Sequence, residues 1–184
     1  MYKNIIENIG EKLGYFILNS KINSDRRAIP VNFDNAKSIG IIFNADHHDT
    51  FKASTKFIKF LSEREISVSA LGFADSRAVR DYYGDIVGFS FFSKKNTNWY
   101  NKPKSQLTDE FIKKKFDILI NFSLENYFPI EYIVCSSKAK FKVGRFSPMF
   151  KYYDFMIDIG EENSLENLIE QIHLYLSIIN LKTR

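Results

Sequence analysis

The run Asn44-Ala45-Asp46-His47-His48-Asp49 gathers amide, carboxylate and imidazole side chains within six residues. It follows directly on the apolar segment KSIGIIFN, residues 37–44. In an open α/β sheet, ligands bind just beyond the carboxyl ends of strands, so Asn44, Asp46, His47 and Asp49 are candidate ligand contacts. A metal site is not expected. Adjacent histidines reach one ion only over a bent backbone, and the remaining histidine, His173, is far along the chain. The competing reading of the run is a polar loop in which Asp49 or Thr50 caps a helix. A second candidate group, Ser123, Glu125 and Asn126, lies just past another apolar run, FDILINF.

Cations and aromatics supply a different chemistry. Lys94, Lys95, Trp99, Lys102 and Lys104 fall in one polar loop, and Lys138, Lys140, Lys142 and Arg145 in and before a later strand. Lysine and arginine meet phosphates, and an exposed tryptophan beside them can stack on a base. Alternation of Lys140 and Lys142 with Phe141 and Val143 reads as a strand near a sheet edge with one basic face. In a parallel sheet these two groups belong to opposite ends, so they do not form a single patch. Arg26 and Arg27 stand together on a connector, another inexpensive phosphate contact.

Several chemistries are excluded by pattern. G-x-G-x-x-G, G-x-x-x-x-G-K-[ST], G-x-S-x-G, C-x-x-C and H-E-x-x-H are all absent. The single cysteine, Cys135, permits neither an intrachain disulfide nor a cysteine-based zinc site, and its apolar helical setting reads as an inert thiol. No cofactor is expected.

The elements that must position these residues follow from periodicity. Residues 2–18 place Tyr2, Ile5, Ile6, Ile9, Leu13, Phe16 and Ile17 on one helical stripe, weakened by Gly10 and Gly14 at about 1 kcal/mol each. That helix is expected to dock on the domain, with a dimer arm or a membrane-surface helix as alternatives. Strands are predicted over 37–44, 66–73 and 87–93, with a helix after the first and two helical turns around Ala78, Val79, Tyr82 and Tyr83. Thr108-Asp109-Glu110 opens a short helix. Residues 115–145 read as strand, loop, helix, loop, strand, and 153–159 as a sixth strand. Asn163 and Glu166 fit a capping box for a last helix carrying Leu165, Leu168, Ile169, Ile172, Leu176 and Ile179. The expected fold is α/β, three-layer and Rossmann-like: a mostly parallel sheet of about six short strands with helices on both faces. Residues 1–30 are assigned to an N-terminal helical arm and connector, and 31–184 to the α/β domain.

Composition agrees with one domain. The chain has 184 residues, 45% of them hydrophobic, with 18 Phe and 10 Tyr for an aromatic core. A net charge of +4 permits an anionic partner without demanding one. With no transmembrane run and no signal-peptide pattern, a cytoplasmic setting is expected.

Two resemblances attach to these segments. From about residue 37 to about 180, KSIGIIFN, NWYNKPKSQLTDEFI, FDILINFS, SKAKFKVGR and DFMIDI look like a family of small stand-alone bacterial proteins, Rossmann-like and of unknown function. That resemblance implies the fold and carries over no catalytic residue. Locally, Asp117, Asn121, Lys138, Ala139, Lys140, Val143 and Gly144 resemble a segment of the N-terminal domain of heptosyltransferase-type glycosyltransferases. Those enzymes need a second Rossmann-like domain, for which 184 residues leave no room.

The favoured expectation is a non-catalytic binding or scaffold module for an anionic partner, such as RNA, a ribonucleoprotein or a phosphorylated ligand. The alternative is a nucleotide- or sugar-phosphate-binding enzyme, or a degenerate glycosyltransferase-like domain. A homodimer formed through the N-terminal helix is a further candidate assembly.

Overall fold

Six short, largely apolar runs pair into one parallel sheet whose central strands are buried on both faces, with helices making most of the returns. The computed structural model describes residues 2–20, 26–46, 48–75 and 87–179. The strands are β1 (Ser38–Asn44), β2 (Ser67–Ala74), β3 (Phe89–Ser93), β4 (Ile118–Asn121), β5 (Phe141–Arg145) and β6 (Phe155–Ile157). Their order is β3-β2-β1-β4-β5-β6, and every pairing is parallel. The helices are α1 (Tyr2–Ser20), α2 (His48–Ser62), α3 (Gln106–Lys113), α4 (Phe128–Ser136) and α5 (Leu165–Ile178). The two helical turns expected around Ala78–Tyr83 lie outside the described residues. Among the described residues, no helix is long and apolar enough to cross a membrane.

Alternation along β1 divides the core. Ile39, Ile41 and Phe43 join Phe57 and Leu61 of α2 and Leu168 and Ile172 of α5 on one face. Ile42 joins Leu71, Phe73, Leu119 and the α4 residues Phe128, Ile130, Ile133 and Val134 on the other. The α5 stripe is buried as its spacing predicts, at Leu165, Leu168, Ile172 and Leu176. Each such side chain contributes about 1.5–3 kcal/mol of burial. Helix starts differ from expectation by a residue or more. Ser164, not Asn163, caps α5, its hydroxyl accepting from the Asn167 amide at 3.1 Å. Ser105 caps α3 through the Thr108 amide at 3.2 Å. Asp49 and Thr50 sit inside the first turn of α2, which begins at His48.

α1 lies outside α4 as an added layer. Its contact face is Gly10, Gly14 and Leu18. A Cβ on Gly10 would stand 3.0 Å from the Trp99 carbonyl oxygen, and one on Gly14 would stand 2.7 Å from the Phe128 ring. Glycine is what lets the helix approach so closely. Of the apolar stripe expected to dock, Ile9, Leu13 and Phe16 face water instead, at 58%, 39% and 73% exposed.

The amino ends of the strands are tied by two carboxylates. Asp117 accepts from the Lys37 and Ser38 amides at 2.9 and 3.0 Å and from Lys140 Nζ at 2.7 Å. Burial pushes its carboxyl up, but the Lys140 ammonium and those two amides outweigh burial and leave it below the ordinary range. Asp154 pairs with Arg26, whose guanidinium also donates to the Ala139 and Lys140 carbonyls. Arg26 is therefore committed to the fold and not held out for phosphate.

Candidate functional site

The order of strands selects one place. β1 and β4 are neighbours, yet the chain leaves β1 toward β2 on one side and leaves β4 toward β5 on the other. The two loops diverge at the carboxyl ends and open a crevice between them. A cavity of about 320 Å³ occupies that position. Its floor is Asn44 at the end of β1, with Phe122 and Ser123 just past β4. Its walls are Glu125 and Tyr127 from the loop into α4, together with the first turns of α2 and α5.

Two floor atoms are left over by the fold. Asn44 is 4% exposed and Ser123 is 6% exposed. The Asn44 Oδ1 accepts from the Asp46 amide at 2.6 Å, but its Nδ2 completes no hydrogen bond, with the Tyr127 phenol close by. The Ser123 amide donates to Asn121 Oδ1 at 2.9 Å, while its Oγ has no partner either. A buried polar atom without a partner costs about 1–3 kcal/mol, so such atoms are rare and call for a ligand or solvent to complete them.

The walls are acidic. Asp49, Glu125 and Glu166 line the cavity, and among the described residues no lysine, arginine or histidine does. The Tyr127 hydroxyl donates to Glu125 Oε2 at 2.7 Å. Burial first, and then the Glu125 carboxylate, push the Tyr127 phenol well above its ordinary range, with the nearby Asn44 amide opposing them. Tyr127 is thus a fixed donor that orients Glu125. Larger hollows flank α2, lined by residues such as Phe60, Lys52, Lys56 and His173. They lie on its outer surface and expose no leftover buried polar atom.

Of the residues singled out by sequence, Asn44, Asp49, Ser123 and Glu125 meet in the crevice. Asp46 does not: its Oδ2 accepts from the Asp75 amide at 2.6 Å and ties the exit of β1 to that of β2. Asn126 is exposed beside Glu125, and His47 lies outside the described residues. Tyr127, Ser164 and Glu166 were missed. Tyr127 belongs to the same loop as Ser123, whereas Ser164 and Glu166 reach the crevice only because α5 starts above β4.

A second polar group is buried beside the crevice. Glu131 of α4 is 2% exposed and accepts from the Tyr152 and Tyr153 hydroxyls at 2.7 and 2.9 Å. Asn121 Nδ2 donates to Tyr153 Oη at 2.8 Å and to Glu131 Oε1 at 3.3 Å. Burial pushes the Glu131 carboxyl up to about 7, against the pull of both phenols and the Arg145 charge. Asn121 therefore joins a buried acid to the backbone of Ser123.

The basic strand face does not form. β5 is an interior strand between β4 and β6, and Phe141 to Gly144 are buried on both of its faces. Lys142 is 1% exposed and donates from Nζ to the Cys135 carbonyl at 2.8 Å. Burial, reinforced by the Arg26 charge, brings its ammonium down to about 8. Lys140 is paired with Asp117, leaving Lys138 exposed and Arg145 half-buried. In the other group, Lys94 pairs with Asp75 at 2.9 Å and Lys102 lies 5.5 Å from the Tyr132 ring centre. Lys95, Trp99 and Lys104 face water.

A family model described as a family of unknown function (DUF6913) matches residues 11–179. The chain belongs to this family. The DUF6913 match takes in the second half of α1 and every strand of the sheet, so the crevice falls within it. No curated protein and no solved structure matches the chain. The DUF6913 assignment agrees with the resemblance to an unknown-function family, and no comparison supports the heptosyltransferase-type resemblance.

Proposed function

We propose that this DUF6913 protein binds a small polyhydroxylated ligand, of the nucleoside or sugar kind, in the crevice between β1 and β4. The unpartnered Ser123 Oγ at the crevice floor carries the reading. Asn44 Nδ2 beside it offers a donor to a ligand oxygen, while Asp49, Glu125 and Glu166 offer acceptors to ligand hydroxyls or amines. Two helix N-termini favour negative charge, but Asp49 and Glu166 already occupy those first turns. A phosphate added to the ligand therefore gains little here and meets three carboxylates.

Adenosine, uridine and glucose, each with and without a phosphate, form the test panel, read by amide chemical shifts and melting temperature. The expected result is that a nucleoside or sugar moves the Ser123 and Asn44 resonances and that phosphate does not improve it. Glu125→Gln should weaken binding roughly 10- to 100-fold, the range for losing a hydrogen bond to a charged group, and Ser123→Ala less. Crevice resonances that none of the six compounds moves would overturn the proposal. So would binding that depends on the phosphate.

A further inference from the structure

α1 presents an apolar stripe to solvent on a face that its own packing leaves free. Gly10, Gly14 and Leu18 face the domain, while Ile9, Leu13 and Phe16 are 58%, 39% and 73% exposed. Two loops border the helix. Gly10 lies against the backbone of Trp99 and Tyr100, and Tyr15 stacks on Phe150 at 6.0 Å between ring centres. Those loops add exposed Trp99 and Met149, 62% and 61% accessible. Isolated apolar side chains on a surface are ordinary; a helical stripe continued by a tryptophan and a methionine on adjacent loops is not.

The charge on the two bordering loops has one sign, whereas α1 itself carries Glu7 and Glu11 beside Lys3 and Lys12. Residues 94–104 contain Lys94, Lys95, Lys102 and Lys104, residues 146–153 contain Lys151, and neither segment holds an aspartate or glutamate. Lys94 is paired with Asp75 and Lys102 rests on Tyr132. Lys95, Lys104, Lys151 and Lys12 of α1 are exposed, with no ion pair among the described residues.

We propose that this face docks on an anionic lipid bilayer, with Ile9, Leu13, Phe16 and Trp99 entering the headgroup region and the exposed lysines meeting lipid phosphates. An amphipathic helix lying in the interface binds through apolar burial and attraction to anionic lipid together, and tryptophan prefers that depth. A second copy fits less well. Face-to-face pairing would bring the lysine-bearing loops of two copies together, and a few apolar side chains fall short of the about 800 Å² per partner of a stable interface. The docking face is separate from the crevice, so the two proposals stand or fall independently.

Trp99 is the only tryptophan and reports the event directly. The full chain is titrated with vesicles of phosphatidylcholine, alone and mixed with phosphatidylglycerol, following Trp99 emission and co-sedimentation. The expected result is a blue shift and sedimentation with anionic vesicles only, reversed by high salt. Lys95→Gln with Lys104→Gln should lower partitioning on the order of 30-fold, at about 1 kcal/mol per lysine near a charged surface. Phe16→Ser, at an exposed position, should weaken binding without changing the melting temperature. No blue shift with anionic vesicles would overturn the proposal, as would equal binding to neutral ones. A dimer in light scattering that Phe16→Ser converts to monomer would overturn it in favour of a second copy. Tighter quenching of Trp99 by RNA than by vesicles would overturn it in favour of a nucleic acid.

Discussion

Glu131 keeps its carboxyl from water, among two phenols and an amide, and its proton is held up to about pH 7. The unfolded chain ionises near 4.5, so the folded state binds this proton more tightly. The stability it contributes is whole below 4.5 and is lost as pH rises through 7, about 3 kcal/mol in all. Melting curves of the wild type and Glu131→Gln across that window should diverge with pH, and their difference should become constant well above 7. A constant difference throughout would mean that Glu131 does not titrate there. At this scale the sequence exposed half the crevice. Asn44, Asp49, Ser123 and Glu125 stand out because polar residues just past apolar strands sit where an open α/β sheet takes its ligands. Asp46 carries the same signal but is consumed by the Asp75 amide, a contact 29 residues away that spacing does not reveal. Glu131 gave no signal at all, since a lone glutamate in YFPIEYIVC reads as a solvent-facing break in an apolar helix.

α1 shows why an amphipathic pattern identifies an apolar face but not the face that packs. The stripe was legible from spacing, and its direction was not. Gly10 and Gly14 looked like weak points of the helix, whereas they form its contact with Trp99 and Phe128. Gly14→Val should therefore undock α1, costing about 1–3 kcal/mol as an overpacked contact, even though valine suits a helix better than glycine. Amide exchange should rise along 9–20 and stay unchanged in β1 and β4. Unchanged protection in α1 would show that the glycine face is not what holds it. β5 teaches the same lesson for strands. Alternating lysines describe a two-sided strand only if one side meets water, and Lys142 instead buries its stem and rests its ammonium on a carbonyl.

The sheet as a whole was readable because six short apolar runs separated by helical stretches leave few alternatives to a parallel, two-sided sheet. Strand order was not. The buried runs are similar in apolar character, so nothing in them states that β1 pairs with β4. That pairing creates the crevice. It also divides the sheet into two halves, each continuous in sequence: β1–β3 and β4–β6. The chain passes between them through residues 94–117. α1 precedes the first half in sequence, yet it lies against α4 of the second. It therefore works as a clasp across the seam. A protease site placed between Thr97 and Pro103 should give a cut protein whose two pieces still elute together, held by the β1–β4 ladder and the clasp. Removing residues 1–20 before the cut should let the pieces part more readily under mild denaturant, which size-exclusion chromatography would record. The chain's first helix would then be the part that keeps a broken molecule whole.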